Sequence, residues 1–140
     1  MPEDESSEYA ILKVRLPGVL SAIALLGLLC PQSARAGEIK LSTDEILAAF
    51  AGNTVHGLWG DTEYFSYFDR DGRTSYTTKR GTDWGHWRAA HGQYCSTWQM
   101  SGESCYDILR DGDRIIWIVP SSGKRYESAL IPGETPPAFP

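Results

Sequence analysis

Read as a string of apolar and polar positions, the chain changes rhythm twice. An uncharged, largely apolar run spans Leu16 to Cys30, with Lys13 and Arg15 before it and Pro31 after it. Next, Ile46, Leu47 and Phe50, spaced i, i+1, i+4, draw one apolar face of a short helix. Ser42 and Glu45 stand at capping-box spacing ahead of that face, and Gly52 or Asn53 can end the helix in a left-handed conformation. Beyond Asn53 the period drops to two. Runs rich in Val, Ile, Thr, Tyr, Phe and Trp predict strands over 54–59, 63–68, 74–79, 85–89, 93–99, 103–110, 114–119 and 125–131. Glycine- and aspartate-bearing breaks separate them, among them Gly60-Asp61, Asp71-Gly72, Gly81-Thr82-Asp83, His91-Gly92 and Asp111-Gly112. The pattern predicts a mainly β fold: a short N-terminal helix and an eight-stranded antiparallel meander that closes as a small barrel or a twisted sandwich. Pro132, Pro136, Pro137 and Pro140 keep residues 132–140 out of any sheet interior, so a flexible tail is expected there.

The first apolar run has a different meaning. At about 15 residues it is short of the roughly 20 needed to span a bilayer as a helix. Ala34-Arg35-Ala36 follows the helix-breaking proline as a small-x-small cleavage site. The segment 1–36 therefore reads as a secretory signal peptide cut between Ala36 and Gly37, and the mature chain is expected in the periplasm or secreted. The acidic start, Glu3 to Glu8, is atypical of such a signal. Leu29 before Cys30, where lipidation prefers a small residue, argues against a lipoprotein. Four of the 18 acidic and three of the 13 basic residues fall in this segment, which leaves 14 acidic and 10 basic residues, net −4. No basic stripe survives, so nucleic-acid binding is disfavoured. Membrane association is expected only through the uncleaved signal.

The cut also removes Cys30 and leaves an even pair, Cys95 and Cys105. In an oxidising compartment such a pair invites a disulfide. If Cys95 opposes Cys105 in a hairpin, Tyr94 faces Tyr106 and Ser96 faces Ser104. Trp98 then opposes Gly102, where its ring could cover bare backbone, and the loop is Gln99-Met100-Ser101. In this register Cys95, Thr97, Cys105 and Asp107 share one face. Tyr94, Trp98, Tyr106 and Ile108 share the other, the better core candidate.

Candidate chemistry is sparse. His56, His86 and His91 lack HxH or HExxH spacing, so no metal site is expected. Asp69-Arg70-Asp71-Gly72 has only a fragment of a calcium-loop pattern and reads as a turn. Gly-x-Ser-x-Gly does not occur, no catalytic residue stands out, and no cofactor is expected. What is abundant is aromatic. All five tryptophans lie beyond residue 58, among many tyrosines and phenylalanines. Large rings can simply fill a small core, or they can line a cavity that stacks a ligand. For the second reading Trp59, Phe65, Trp87 and Trp98 are the candidate ligand-binding residues.

The runs Leu41-Ser-Thr-Asp-Glu-Ile46, Gly52-Asn-Thr-Val-His-Gly57 and Tyr64-Phe65 to Asp71-Gly72 resemble a family of small exported bacterial proteins with a domain of unknown function. Gly85-His-Trp87, Tyr94-Cys95, Trp98, Cys105-Tyr106 and Asp111-Gly112 extend the resemblance over Leu41 to Gly133. That family implies no activity. A capping helix followed by an eight-stranded meander is also similar to lipocalin-like barrels, a fold-level analogy. Three functions follow in order of expectation. The first is a non-catalytic periplasmic binding module for a small apolar or aromatic ligand. The second is a protein-interaction role, as an inhibitor or an accessory subunit of an envelope complex, through an exposed strand or the turns bearing His86, Arg88 and His91. The third is a small enzyme.

Overall fold

A computed structural model of the protein describes residues 37–140. Residues 1–36, which the sequence pattern reads as a signal peptide and which include Cys30, lie outside the described residues. The order of elements is β1 (Ile39–Lys40), α1 (Thr43–Phe50), β2 (Thr54–Trp59), β3 (Thr62–Tyr67), β4 (Arg73–Thr78), β5 (Gly81–Ala90), β6 (Gln93–Trp98), β7 (Ser101–Asp111), β8 (Arg114–Ile118) and β9 (Arg125–Ile131). Strands β2 to β9 pair with their sequence neighbours, and β9 pairs back onto β2 through Thr54↔Ile131 to Gly57↔Ser128. The result is a closed eight-stranded antiparallel barrel. The sequence pattern left a barrel and a sandwich open; pairing of the first and last barrel strands decides for the barrel. The extra strand β1 has only two residues, too short for the alternation of the sequence to mark it. It occupies the edge of β7 at Leu109 and Arg110, beyond the stretch that pairs with β6.

Helix α1 closes one end. Its capping box forms as the spacing predicts: Ser42 Oγ accepts from the Glu45 amide at 3.4 Å, and Glu45 Oε2 accepts from the Ser42 amide at 2.8 Å. Gly52 ends the helix turn at φ +78°, where a side chain would be strained. The buried face is Ile46, Ala49 and Phe50, while Leu47 is exposed. The spacing is thus i, i+3, i+4, the true period of a helix lying on a surface. The Gly92 amide donates to Thr43 Oγ1 at 2.8 Å, which seats the helix start on the β5–β6 turn. Phe50 enters the barrel. Its ring stacks on Trp117 at 5.4 Å and meets Phe68 at 4.8 Å and Tyr94 at 5.6 Å between centroids. Burying a ring of this size contributes about 1.5–3 kcal/mol by area.

Cross-strand parity then assigns the wall. Tyr64, Ser66 and Phe68 of the β3 edge face inward, as do Tyr94, Ser96 and Trp98 of β6 and Tyr106 and Ile108 of β7. Cys95 and Cys105 are direct partners on the outer face and form a disulfide, with Cα atoms 4.1 Å apart. The expected hairpin register holds from Tyr94↔Tyr106 to Thr97↔Glu103. It then slips: Trp98 pairs with Ser101, and the loop shortens to Gln99-Met100. A bulge at this point accommodates Gly102 outside the ladder. The Trp98 ring instead covers Gly85, its partner on β5, where a Cβ would sit 2.7 Å from the ring.

Two turns also fall earlier or later than composition suggests. Gly81-Thr82-Asp83, read as a break, belongs to β5, and the turn is Lys79-Arg80. Asp111 closes β7, and the turn is Gly112-Asp113 with positive φ at Gly112 alone. After Ile131 no strand forms, yet the tail is tied to the outer wall. Gly133 accepts from Thr54 Oγ1 at 2.7 Å and its amide donates to Asn53 Oδ1 at 2.9 Å, while Phe139 packs edge-on against Phe65 at 5.4 Å.

Candidate ligand cavity

Alternating connections leave the two barrel ends unlike. One carries α1 and the β3–β4, β5–β6 and β7–β8 turns. Among the described residues the other carries only hairpin turns, at 60–61, 79–80, 99–100 and 119–124. At this second end a cavity of about 400 Å³ opens into the barrel. That volume lies within the range of small-molecule sites.

Two aromatic groups and a floor shape it. On one side Trp59 stands edge-on to Tyr106 at 5.3 Å and is backed by Tyr126, stacked at 3.9 Å. On the other, Tyr76 stacks on Tyr64 at 4.9 Å and meets Trp98 at 6.1 Å. Trp117, Tyr94 and Phe68 form the floor, the same rings that Phe50 touches from the far side. Met100, 98% exposed, and Gln99 belong to the rim hairpin.

The polar atoms of the floor are already engaged. Trp117 Nε1 donates to Ser128 Oγ at 2.9 Å, and Trp98 Nε1 donates to Ser96 Oγ at 3.2 Å. Among the described residues no buried side-chain N or O lacks a partner. Burial pushes the Tyr64 and Tyr94 hydroxyls well above the ordinary phenol range, with hydrogen bonds to Ser128 and Ser96 opposing the shift. Tyr76 is raised by burial and then by the nearby carboxylate of Asp83. These phenols stay neutral across the physiological range and present hydrogen-bonding but uncharged groups to the cavity.

Of the four residues chosen from the sequence, the structure brings two together. Trp59 and Trp98 line the cavity. Phe65 faces outward on β3, stacked on His56 at 4.1 Å and covered by Phe139. Trp87 points inward but belongs to the closed end, where its Nε1 donates to the Asp69 carbonyl at 2.9 Å. Tyr76, Tyr106 and Trp117 were not singled out. The cysteine register already put Tyr106 on the core face, and strand pairing carries that parity to the rest.

Elsewhere polar groups pair on the outer wall. His56 Nε2 lies 2.9 Å from Glu63 Oε1, outside the barrel and away from the cavity. Arg88 makes a two-pronged pair with Glu103, at 2.6 and 2.8 Å. Cys95, Glu103 and Cys105 are near enough to share a metal ion, but the disulfide engages both sulfurs and leaves one carboxylate. Comparison of the chain with protein-family models, with curated proteins and with solved structures gives no match, so the cavity is read on its own geometry.

Proposed function

We propose that the protein is a non-catalytic periplasmic binding module that holds a small apolar or aromatic ligand inside its barrel. One observation carries the reading: a cavity of about 400 Å³ opens at one end of the closed barrel and is walled by aromatic rings. Rings standing around an unfilled axis favour a flat apolar guest, whose burial contributes about 25 cal/mol per Å² of apolar surface removed from water. The location rests on the leader, Met1 to Ala36, with cleavage before Gly37. The oxidised Cys95–Cys105 pair supports an oxidising compartment.

The test is native purification of the exported protein, followed by extraction and mass spectrometry of whatever it carries. A small apolar or aromatic molecule retained by the native protein and lost on Trp59→Ala supports the reading. An empty barrel with a stably co-purifying protein overturns it in favour of the interaction role. The outer wall supplies one observation for that second reading: Trp84 is 55% exposed on β5, beside Arg73. The same spectra test export. The chain should begin at Gly37 and weigh about 2 Da less than its dithiol form; an intact start at Met1 sinks the assignment.

A further inference from the structure

The aromatic cavity is not electrically neutral. Among its lining residues, Asp83 is the one that carries a formal charge at neutral pH. It sits near the open end of β5, directly opposite Tyr76 in the β4–β5 ladder, and parity turns it toward the barrel axis. Its negative charge reaches the Tyr76 phenol, which it helps to hold protonated. Among the described residues no Lys, Arg or His forms an ion pair with it. Lys79 and Arg80 occupy the adjacent turn, and neither lines the cavity. Lys124, near the rim, is held over the Tyr126 ring at 5.1 Å.

The rest of the lining favours the same sign of ligand charge. Ring faces of Trp and Tyr are the negative ends of their quadrupoles and attract cations. Of the four indoles that line the cavity, the two that reach deepest, Trp98 and Trp117, spend their N–H donors on Ser96 and Ser128. An anion entering this space would lose its hydration without meeting a cation. A cation would exchange water for ring faces and one carboxylate. The protein already uses its rings in this way on the surface: Arg73 lies over Trp84 at 5.6 Å, and Lys124 over Tyr126.

Building on the cavity reading above, we propose that the ligand is an organic cation, an aromatic or aliphatic ammonium, whose charge lies toward Asp83 at the mouth and whose apolar part enters between Trp59, Tyr106, Tyr76 and Trp98. Specificity then has two separable parts. The rings select for an apolar body, and Asp83 selects for the charge.

Three probes of nearly one shape separate these parts: phenethylammonium, 2-phenylethanol and 3-phenylpropionate. Each is titrated into the purified oxidised protein while the indole N–H resonances are followed by NMR. The ammonium is expected to bind about tenfold more tightly than the alcohol, and the carboxylate weakest of the three. Asp83→Asn is expected to leave the alcohol unchanged and to remove most of the ammonium's advantage. Equal affinity for ammonium and alcohol in the wild-type protein overturns the charge inference and leaves the cavity reading standing. An advantage that survives Asp83→Asn overturns the assignment to Asp83. If none of the three shifts the Trp59 or Trp98 resonance, the cavity reading fails and this inference fails with it.

Discussion

The two ends of the barrel are built from the same kinds of side chain and reach opposite outcomes. At the closed end, Phe68, Trp87, Tyr94 and Trp117 surround the axis, and Phe50 from α1 fills it. At the open end Trp59, Tyr76, Trp98 and Tyr106 surround the axis and none of the described segments fills it. The difference is one helical residue, not wall composition. An eight-stranded barrel is at the size where side chains can either complete the interior or leave room for one guest, and here a single chain does both. Aromatic content therefore says little by itself; what matters is whether a plug reaches the axis.

That contrast can be broken in measurable ways. Phe50→Ala should cost the most, about 3–5 kcal/mol as a core Phe truncation, read as a drop in the thermal or urea midpoint. A loss below about 1 kcal/mol would mean that the closed end is not the core. Replacing both Cys95 and Cys105 by alanine should cost about 2.5–3 kcal/mol for so short a loop. The same pair restrains the β6–β7 hairpin whose tip forms the open rim, so this variant should also weaken the binding proposed above, read by the same NMR titration. A variant as stable as the wild type would show that the wall needs no staple.

The buried tyrosines of the floor and of the wall beside it have their own signature in alkali. The Tyr64 and Tyr94 hydroxyls titrate higher in the folded than in the unfolded chain. Below pH ~10 both states keep their protons and stability is flat. Above it the unfolded state ionises first, and stability should fall by up to about 1.4 kcal/mol per pH unit for each tyrosine. Urea unfolding at a series of pH values reads this, and Tyr94→Phe should flatten the slope; an unchanged slope would remove Tyr94 from the floor. Ser42→Ala deletes the cap of the plug helix and should cost about 1 kcal/mol. Met100→Ser at the open rim should move stability by less than about 0.5 kcal/mol. If the rim change proves as damaging as the cap change, the two ends are not as different as their packing indicates.

Legibility from sequence follows the same division. The strands were readable because alternation and short polar turns are local signals: 54–59 and 125–131 coincide with β2 and β9. The cysteine register assigned Tyr94 and Tyr106 to the core face because two sulfurs constrain a ladder independently of composition. What escaped depends on a third strand. Trp98 finds its glycine on β5, not within its own hairpin, and no two-strand argument contains Gly85. The site was half legible for a similar reason. Phe65 and Tyr64 are equally aromatic neighbours, and only parity carried through the β2–β3 and β3–β4 ladders separates the outer wall from the cavity. Asp83 lay within what composition marked as a turn, which hid its inward position on β5.

The seam between β2 and β9 sets a timetable. Every other ladder of the barrel joins strands adjacent in sequence, whereas Thr54↔Ile131 and its neighbours join the first barrel strand to the last. Such a distant pairing must wait while the hairpins between form, and it places closure among the slow steps typical of non-local β topologies. Gly57 tightens the condition: a Cβ there would lie 2.6 Å from the Glu127 carbonyl, so the seam shuts only where side-chain bulk is absent. Until the C-terminal strand arrives, β2 presents an unpaired edge that another chain could capture. A chain ended before Arg125 should therefore form an open sheet with two adhesive borders, and its fate is association rather than a looser version of the same vessel.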